Sequence, residues 1–472
     1  MIVKRASLLS NEERYRIHMA SLTILERTGI DVHEEESVEL LKKGGAYADS
    51  GKHIRIPSYM VKNALQSVPE RLIIYSRSGA PYLFLDLNQV YFGTGADCPV
   101  FRDSITKEFR DFGIQDIIDA SIICDFLPNI DFVQPYGVPK DVPTETSDIH
   151  QFKAMVVNTK KPLMFVGHNC ENLKIILEMA KLIKNGEQEL RQQPFFVLLL
   201  AVTSPLTFSK NMLEQMLTIA EKRLPVCPAS MILSGGTGPA TIAGMIAQGN
   251  AENLAALVIH QLKAPGAPFI YGQILTTMDM SSNIAVYGAP ELYLTNNAVA
   301  DMANFYRLPS FSTGGCTDSK EMDVQAGLEA GLSLYTSAIA GANLIHDVGY
   351  LASGRVNSYD YLIFCDEVIG MVKRIIRRID LSDDKFSLDL IHKVKPGGGF
   401  IEEEHTLRHF REEHWLPKIS NRQSLSQWKI DPSPIQERIN RKIYEILKSH
   451  QPELLDPKVV DRMNEIISTK EA

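Results

Sequence analysis

The chain has 472 residues with 44% hydrophobic and 22% charged residues, and its formal net charge is -8 at pH 7. The length suits a barrel of about 250 residues with additions, and the composition is that of a globular protein. The acidic balance excludes a general nucleic-acid binder, which needs clustered Lys and Arg. Residues 1–18 show no signal or transit peptide and no segment is long enough to span a membrane, so we expect a cytoplasmic protein with no membrane partner.

The first elements of the chain predict an α+β segment over residues 1–88. Apolar spacing predicts helices at 11–28 and 35–43. The stretches GKHIRIP, ERLIIYSR and YLFLDLNQVYF then predict short strands separated by turn residues.

From residue 89 to 379 the chain alternates between an apolar strand and an amphipathic helix. Eight strand segments are readable: VYFGTGA, DFVQPYGV, PLMFVGH, FFVLLLAVTS, PVCPASMILSGG, PFIYGQILTT, PSFSTGG and ANLIHDVG. Several of these strands are apolar on both faces, as parallel strands covered by helices are. The predicted fold class is therefore α/β, a (β/α)8 TIM barrel. A doubly wound open sheet is the alternative, but no GxGxxG fingerprint follows the first strand.

The alternation stops near residue 380. Residues 380–472 are entered through the glycine turn of VKPGGGF and then predict helices. We interpret this part as a helical C-terminal extension.

Active sites of barrel enzymes lie at the C-terminal ends of the strands, so the residues that close each apolar run are the candidates. They are Gly95, Asp97, Tyr136, His168, Asn169, Thr203, Ser204, Gly235, Gly236, Thr237, Gln273, Gly314, Gly315, Cys316, His346 and Asp347. The glycines permit a close approach of backbone to a bulky flat ligand, although turn geometry alone explains any single one.

Metal-binding patterns are weak. Rim residues His168, His346, Cys316 and Asp97 are isolated from one another in the sequence, so we expect no zinc. His405, His409 and His414 include an i, i+4 pair, but the flanking charges favour a solvated helix face. Six scattered cysteines without a CxxC pair predict reduced thiols.

Two stretches carry a family resemblance. LTILERTGIDVHEEESVELLKKGGAYADSGKHIRIPSYMVKNALQSVPERLIIYSRSG and GGGFIEEEHTLRHFREEHWLPKISNR resemble the two ends of trimethylamine methyltransferase family proteins. The resemblance implies a barrel that passes a methyl group from an amine to the Co(I) corrinoid (cobalamin) of a separate corrinoid protein. The founding branch uses pyrrolysine near the segment that corresponds to residues 314–320. Here that segment is GGCTDSK, so the resemblance is to the branch without pyrrolysine.

That branch is associated with quaternary amines, which already leave as neutral amines, and our first choice of substrate is glycine betaine. Such a reaction needs alignment more than a general base. We expect catalytic roles for Asp97, Gln273 and His346. The expected substrate-binding residues are Phe92, Tyr136, His168, Gln273, His346 and Tyr350. In this set the three aromatic residues would form an ammonium cage and His346 with Gln273 would bind the carboxylate. The expected corrinoid-binding residues are Gly95, Gly235, Gly236, Thr237, Gly314, Gly315, Cys316 and Asp318.

Other interpretations stay open. Core packing competes for each aromatic residue, a structural role competes for His346, and helix capping competes for Asp318. Proline betaine, carnitine and choline compete with glycine betaine as substrate. A barrel lyase or hydrolase unrelated to corrinoids, or a binding-only relative, competes with the methyltransferase. The sequence fixes neither the corrinoid protein nor the oligomeric state, and a homo-oligomer is one option.

Overall fold

The computed structural model describes residues 5–86 and 88–471. The helices are α1 (Asn11–Thr23), α2 (Glu35–Gly44), α3 (Ser58–Ser67), α4 (Ile114–Phe126), α5 (Ser147–Asn158), α6 (Cys170–Ile183), α7 (Glu187–Gln192), α8 (Lys210–Glu221), α9 (Ile242–Lys263), α10 (Pro290–Tyr306), α11 (Val324–Ala340), α12 (Tyr359–Ile375), α13 (Asp383–Phe386), α14 (Leu388–Val394), α15 (Glu404–Glu413), α16 (Leu425–Ile430), α17 (Ile435–Ser449) and α18 (Pro457–Glu471).

The strands are β1 (Ile30–Val32), β2 (Tyr47–Ser50), β3 (His53–Arg55), β4 (Leu72–Tyr75), β5 (Pro81–Leu85), β6 (Tyr91–Phe92), β7 (Val100–Arg102), β8 (Phe109–Asp111), β9 (Leu163–Val166), β10 (Phe196–Val202), β11 (Thr207–Phe208), β12 (Val226–Ser234), β13 (Tyr271–Asp279), β14 (Ile284–Val286), β15 (Ser310–Thr313), β16 (Leu344–His346), β17 (Tyr350–Leu351) and β18 (Val356–Asn357). A π-helical turn, Ile24–Thr28, continues α1, and short 3-10 turns lie at Thr144–Thr146 and Ala352–Gly354.

The central sheet has a parallel path in the order β6-β16-β15-β13-β12-β10-β9, with β14 paired antiparallel to β13. Seven of the eight predicted strand segments contribute to this path. Each strand is followed by a helix, as the α/β prediction requires. The first and last strands of the repeat, β6 and β16, are neighbours. The carboxyl ends of the first and last units therefore meet.

The second predicted strand segment, 131–138, is not an assigned strand. Phe132 forms an isolated parallel bridge with Gly93, and Val133 forms another with Leu163. At Gln134 the Thr94 hydroxyl hydrogen-bonds to both the backbone amide and the carbonyl, which interrupts the ladder before backbone bonds resume at Tyr136 and Val138. The segment contacts both edges of the parallel path without forming a regular strand.

Helix α9 is buried along most of its length, from Met245 to Gln261. A helix that is apolar all round is stable only when it is covered on every side. Strands β12 and β13 cover one side, and α1, α2 and α3 of the N-terminal segment cover the other. This packing joins the N-terminal segment to the sheet in one continuous hydrophobic core. Among the described residues, no helix is long and apolar enough to cross a membrane.

Two smaller features frame the sheet. The N-terminal strands form a sheet in the order β11-β1-β3-β2, so β11, from the loop after β10, ties the N-terminal segment to the sheet. A second sheet, β17-β18-β7-β8, is built from the loops that follow β6 and β16. It lies beside the carboxyl ends of these two strands.

The C-terminal helices differ in how they pack. Helix α17 contacts α12 and α4, and α18 contacts α5 and α6. Helices α13 to α16 contribute no buried residue. The helical prediction for this part is therefore confirmed, but only its last two helices extend the core.

Candidate active site

A cavity of about 430 Å³ opens at the carboxyl ends of the parallel strands. Its lining comes from nearly every strand of the repeat and from the small sheet beside β6 and β16. The lining residues are Ala96, Asp97, Gln134, Val138, Gln151, Val166, His168, Leu199, Leu200, Ala201, Ala229, Met231, Ile274, Ala285, Tyr287, Phe311, His346, Asp347, Tyr350, Ser353 and Gly354. A barrel-type enzyme places its site at this position.

One wall of the cavity contains two carboxylic acids, Asp97 and Asp347, together with Gln134 and Tyr350. We call these four residues the acidic wall. Asp97 follows β6 and Asp347 follows β16, and the pairing of these strands brings the two carboxyl groups together. Asp347 Oδ2 accepts a hydrogen bond from Thr313 Oγ1 at 2.9 Å. The two acids are neighbours because the first and last parallel strands of the repeat, β6 and β16, pair with each other.

His346 touches the acidic wall in a defined tautomer. Its Nδ1 lies 2.9 Å from the carbonyl oxygen of Ser312, which can only accept, so Nδ1 carries the hydrogen. Its Nε2 lies 3.1 Å from Asp347 Oδ1. Burial lowers the pKa of His346 and raises the pKa of Asp347. Both shifts favour the uncharged forms, and a protonated Asp347 carboxyl group can donate to Nε2.

Asp97 is the second acid. Burial, together with the nearby Asp347 carboxyl, raises its pKa to about 6. The Asp97 backbone amide donates to the Tyr350 hydroxyl at 2.9 Å, which fixes the Tyr350 ring against the carboxyl group. Near neutral pH Asp97 is therefore largely ionised, while the more strongly raised pKa of Asp347 keeps a larger protonated fraction on that carboxyl group.

Gly95 is required by this packing. A Cβ atom at this position would collide with the Tyr350 ring and would lie 2.6 Å from Asp347 Oδ1. The glycine permits the close approach of two side chains of the acidic wall. It was predicted to face a corrinoid, and the structure instead places it behind that wall.

Apolar side chains form a second part of the lining, which we call the apolar wall: Leu199, Ala229, Met231, Ile274 and Phe311, the last of which packs on the His346 ring. They come from β10, β12, β13 and β15. All are buried or nearly so except Met231, which is 39% exposed. A small amine bound between the two walls would have its alkyl groups against these side chains.

Several predicted residues line the cavity and others do not. Asp97, His168, His346 and Tyr350 do. Phe92 is fully buried and its ring contacts Lys373 Nζ at 5.6 Å on the helix side of the sheet. Tyr136 is also fully buried behind Tyr350, with 5.7 Å between ring centroids. Of the three aromatic residues predicted to form an ammonium cage, only Tyr350 lines the cavity.

Gln273 faces away from the cavity. Its side chain hydrogen-bonds to the Tyr271 hydroxyl and lies against Gly249 of α9. The next residue, Ile274, points into the cavity, because successive side chains of a strand alternate between its two faces. The expectation that Gln273 binds substrate is corrected for this reason.

The predicted corrinoid-binding residues separate into two groups. Gly235 and Gly236 are exposed in a turn after β12, where Gly235 has a φ of 80° and Thr237 Oγ1 accepts from the Leu233 amide. These remain at the rim. Gly314 and Gly315 are buried against β16 and α11.

The rest of the second group is also internal. Cys316 is 2% exposed, and a bridge joins its backbone to Tyr350. Asp318 accepts from the amides of Tyr287 and Gly288 and from the Ser353 hydroxyl. It braces the loop that carries Tyr287 and does not cap α11, whose N-cap is Asp323.

Asp347, Gln134 and Tyr287 are among the lining residues for which the sequence predicted no role. Asp347 was a rim candidate from its place after His346, but nothing in the sequence showed that it would meet Asp97. Gln134 and Tyr287 gave no signal, since Gln134 lies in an irregular segment and Tyr287 follows the antiparallel strand β14. His168, a predicted residue, lies at the far side of Gln134, with Nδ1 3.7 Å from Asp148 Oδ1.

The histidines of the C-terminal extension make local contacts. The His405 and His409 rings lie 4.4 Å apart, His405 Nε2 contacts Ser387 Oγ at 2.6 Å, and His409 Nδ1 contacts Lys385 Nζ at 3.2 Å. Within residues 5–86 and 88–471, no three His, Cys, Asp or Glu side chains are grouped closely enough to hold a metal ion.

Comparison with known proteins gives a consistent result. The sequence profile of the family "Trimethylamine methyltransferase (MTTB)" matches residues 2–472. Trimethylamine methyltransferase MttB of Desulfitobacterium hafniense is 33% identical, over 98% of this chain and 93% of that protein. The MttB protein of Methanosarcina thermophila is 32% identical, over 97% of this chain and 96% of that protein. A glycine betaine methyltransferase of Desulfitobacterium hafniense is 27% identical, over 99% and 98% respectively. The chain is therefore a methyltransferase and belongs to the trimethylamine methyltransferase (MTTB) family.

Proposed function

We propose that the chain transfers a methyl group from a quaternary amine to the Co(I) corrinoid of a separate corrinoid protein. The observation that carries the proposal is the cavity itself, in which the acidic wall of Asp97 and Asp347 faces an apolar wall of Leu199 and Ile274. Carboxyl groups attract a permanent cation, and the apolar wall accommodates its alkyl groups. Glycine betaine was the expected member of this substrate class, and one relative, at 27% identity, bears its name, but the side chains that line the cavity favour a member without a carboxylate.

The reaction is an in-line displacement. The cobalt electron pair attacks a methyl carbon and forms the cobalt–carbon bond. The carbon–nitrogen bond breaks, and nitrogen keeps the electron pair of that bond and leaves as a neutral tertiary amine. Cobalt is oxidised from Co(I) to Co(III) as it takes the methyl group, and no proton is transferred. The protein's task is to hold the ammonium with one methyl group directed at the open mouth.

The acidic wall acts on the ground state, because the positive charge on nitrogen disappears during displacement. Strong fixed negative charge would therefore oppose catalysis. The raised pKa values of Asp97 and Asp347 moderate this effect, because near neutral pH a smaller fraction of each group is ionised than for an ordinary carboxyl group. Tyr350, whose hydroxyl accepts from the Asp97 amide, is the one of the three predicted cage residues that lines the cavity, and it supplies an aromatic face for the ammonium.

The fold and rim assignments extend the proposal. We take residues 131–138 as the eighth strand segment that closes the barrel, supported by the bridges of Phe132 and Val133 to both edge strands. Segment boundaries at 88/89 and 379/380 remain predictions. The turn of Gly235, Gly236 and Thr237 is the proposed contact for the corrinoid protein, because its glycines are exposed and it follows β12, which contributes Ala229 and Met231 to the cavity lining.

One observation favours a second function. Buried acids with raised pKa values are what a barrel lyase or hydrolase would use for proton transfer. Purified protein mixed with cob(I)alamin and a panel of quaternary amines separates the two. The proposal expects methylcobalamin and a demethylated amine in equal amounts. Amine consumption without methylcobalamin would favour the lyase or hydrolase, and binding without turnover would favour the binding-only interpretation.

A further inference from the structure

We infer that the cavity selects a quaternary amine that carries no carboxylate, such as choline or tetramethylammonium, over a betaine. The inference rests on the proposed function and names the substrate class of the same site. It follows from the balance of hydrogen-bond donors and acceptors that the described residues present to the cavity.

The two residues expected to bind a betaine carboxylate are already engaged. His346 donates through Nδ1 to the Ser312 carbonyl, and its Nε2 faces Asp347. Gln273 lies on the other face of its strand. Neither one offers a free N–H to the cavity.

Acceptors point into the cavity instead. Gln134 is 1% exposed, its Nε2 donates to the Thr94 carbonyl at 2.8 Å, and its Oε1 has no hydrogen-bond partner. A flip of this amide would set Oε1 against the Thr94 carbonyl, so the orientation is fixed. The unpartnered oxygen joins the carboxyl groups of Asp97 and Asp347 on one wall. The Gln134 carbonyl oxygen and the ionised Asp97 carboxylate are acceptors that suit a cation or a hydroxyl donor, and the negative charge of Asp97 repels a carboxylate.

The remaining donors are neutral or distant from this wall. The hydroxyls of Tyr287 and Tyr350, the amide of Gln151 and the His168 ring are the donors left, and no Lys or Arg is among the described residues of the lining. His168 is itself drawn toward the buried Asp148 carboxylate. A carboxylate moved from water into a cavity needs charge-assisted bonds to offset its lost hydration. This cavity provides acidic groups where those donors are needed.

The first test compares substrates with the unmodified chain. Methylcobalamin formation from cob(I)alamin is measured with tetramethylammonium, choline, glycine betaine and carnitine. We expect kcat/KM for the first two to exceed that for the betaines by about tenfold or more. Turnover of betaines at equal or higher kcat/KM would overturn the inference and leave the proposed function standing. Absence of methylcobalamin with all four would instead overturn the proposed function.

Direct binding gives a second readout, independent of the corrinoid. Calorimetry with tetramethylammonium chloride and with glycine betaine should give a lower Kd for the former. In Asp347→Asn the new amide can still donate to His346 Nε2, so the wall keeps its shape and loses one ionisable group. We expect this variant to bind tetramethylammonium about tenfold more weakly and to lose most of its discrimination. Asp461→Asn, on the exposed face of α18, serves as the matched control and should bind like the parent. Unchanged discrimination in Asp347→Asn would contradict the inference.

Discussion

The two walls of the cavity are built from opposite sides of one sheet path and have opposite chemistry. The acidic wall, at the ends of β6 and β16, contains two carboxyl groups, a fixed amide oxygen and a tyrosine ring. The apolar wall, on β10, β12, β13 and β15, contains aliphatic and aromatic side chains. The difference indicates where each part of a small cation lies: its charge toward the first and last strands, and its alkyl groups toward the middle strands.

The largest expected effect comes from removing both charges of the acidic wall. Asp97→Asn combined with Asp347→Asn should lower kcat/KM for a quaternary amine by about 100-fold or more, because two attractive interactions with the cation are lost. Steady-state methylcobalamin formation measures the change, and circular dichroism checks the fold. A double variant with the parent's kcat/KM would show that the wall does not hold the substrate.

Gly95→Ala tests the close packing behind the acidic wall. The added methyl group would push Tyr350 and Asp347 out of place, with a cost of about 1 to 3 kcal/mol in unfolding free energy. We expect kcat/KM to fall by about tenfold, and thermal unfolding to shift downward. Gly331→Ala in α11, where a Cβ would meet nothing within 4 Å, is the control. Equal effects at both positions would refute the packing argument.

The affinity for a permanent cation should depend on pH with a defined sign. A cation binds the ionised forms of Asp97 and Asp347 better than their protonated forms, so binding releases protons. Because the pKa of Asp97 in the empty cavity is about 6 and that of Asp347 is also raised, affinity is low below these pKa values and rises as pH increases through them. We expect Kd for tetramethylammonium to fall about tenfold between roughly pH 5 and pH 8. A flat profile, or tighter binding in acid, would contradict this sign.

Substitutions in the apolar wall should lower activity less than substitutions in the acidic wall. Met231→Ala removes a partly exposed side chain that faces the acidic wall, and its loss leaves space that water can fill. We expect KM to rise by about threefold with little change in kcat, because the contact is the same in the ground and transition states. A large fall in kcat would assign Met231 a role in alignment that the comparison of the walls does not give it.

The smallest effect is expected outside both walls. Gln273→Leu should leave kcat/KM within about twofold of the parent, since its side chain faces α9, although the lost bond to Tyr271 should cost about 1 kcal/mol of stability. Enzyme kinetics and thermal unfolding separate the two consequences. A selective loss of activity at unchanged stability would restore the catalytic role that the sequence predicted for Gln273.

Periodicity predicted the eight helices of the repeat and eight strand segments, seven of which are strands of the parallel path, because the apolar residues recur at the spacing each element needs. The segment 131–138 was predicted to be a strand but is not a regular one, because hydrogen bonds between Thr94 and Gln134 that involve their side chains interrupt the backbone ladder. Phe92 and Gln273 were assigned to the cavity because strands apolar on both faces do not reveal which side chains point inward. The proximity of Asp97 to Asp347 could not be predicted, because about 250 residues separate them and only the pairing of β6 with β16 brings them together.

The central claim is that a permanently cationic amine lies between the two walls with a methyl group open to reduced cobalt. The most direct measurement mixes the purified chain with cob(I)alamin and tetramethylammonium and follows the cobalt spectrum alongside trimethylamine release. The account predicts one methylcobalamin for each trimethylamine, with both signals lost in the Asp97→Asn, Asp347→Asn double variant. Intact tetraalkylammonium compounds across the whole panel, or demethylation confined to a tertiary amine, would contradict it.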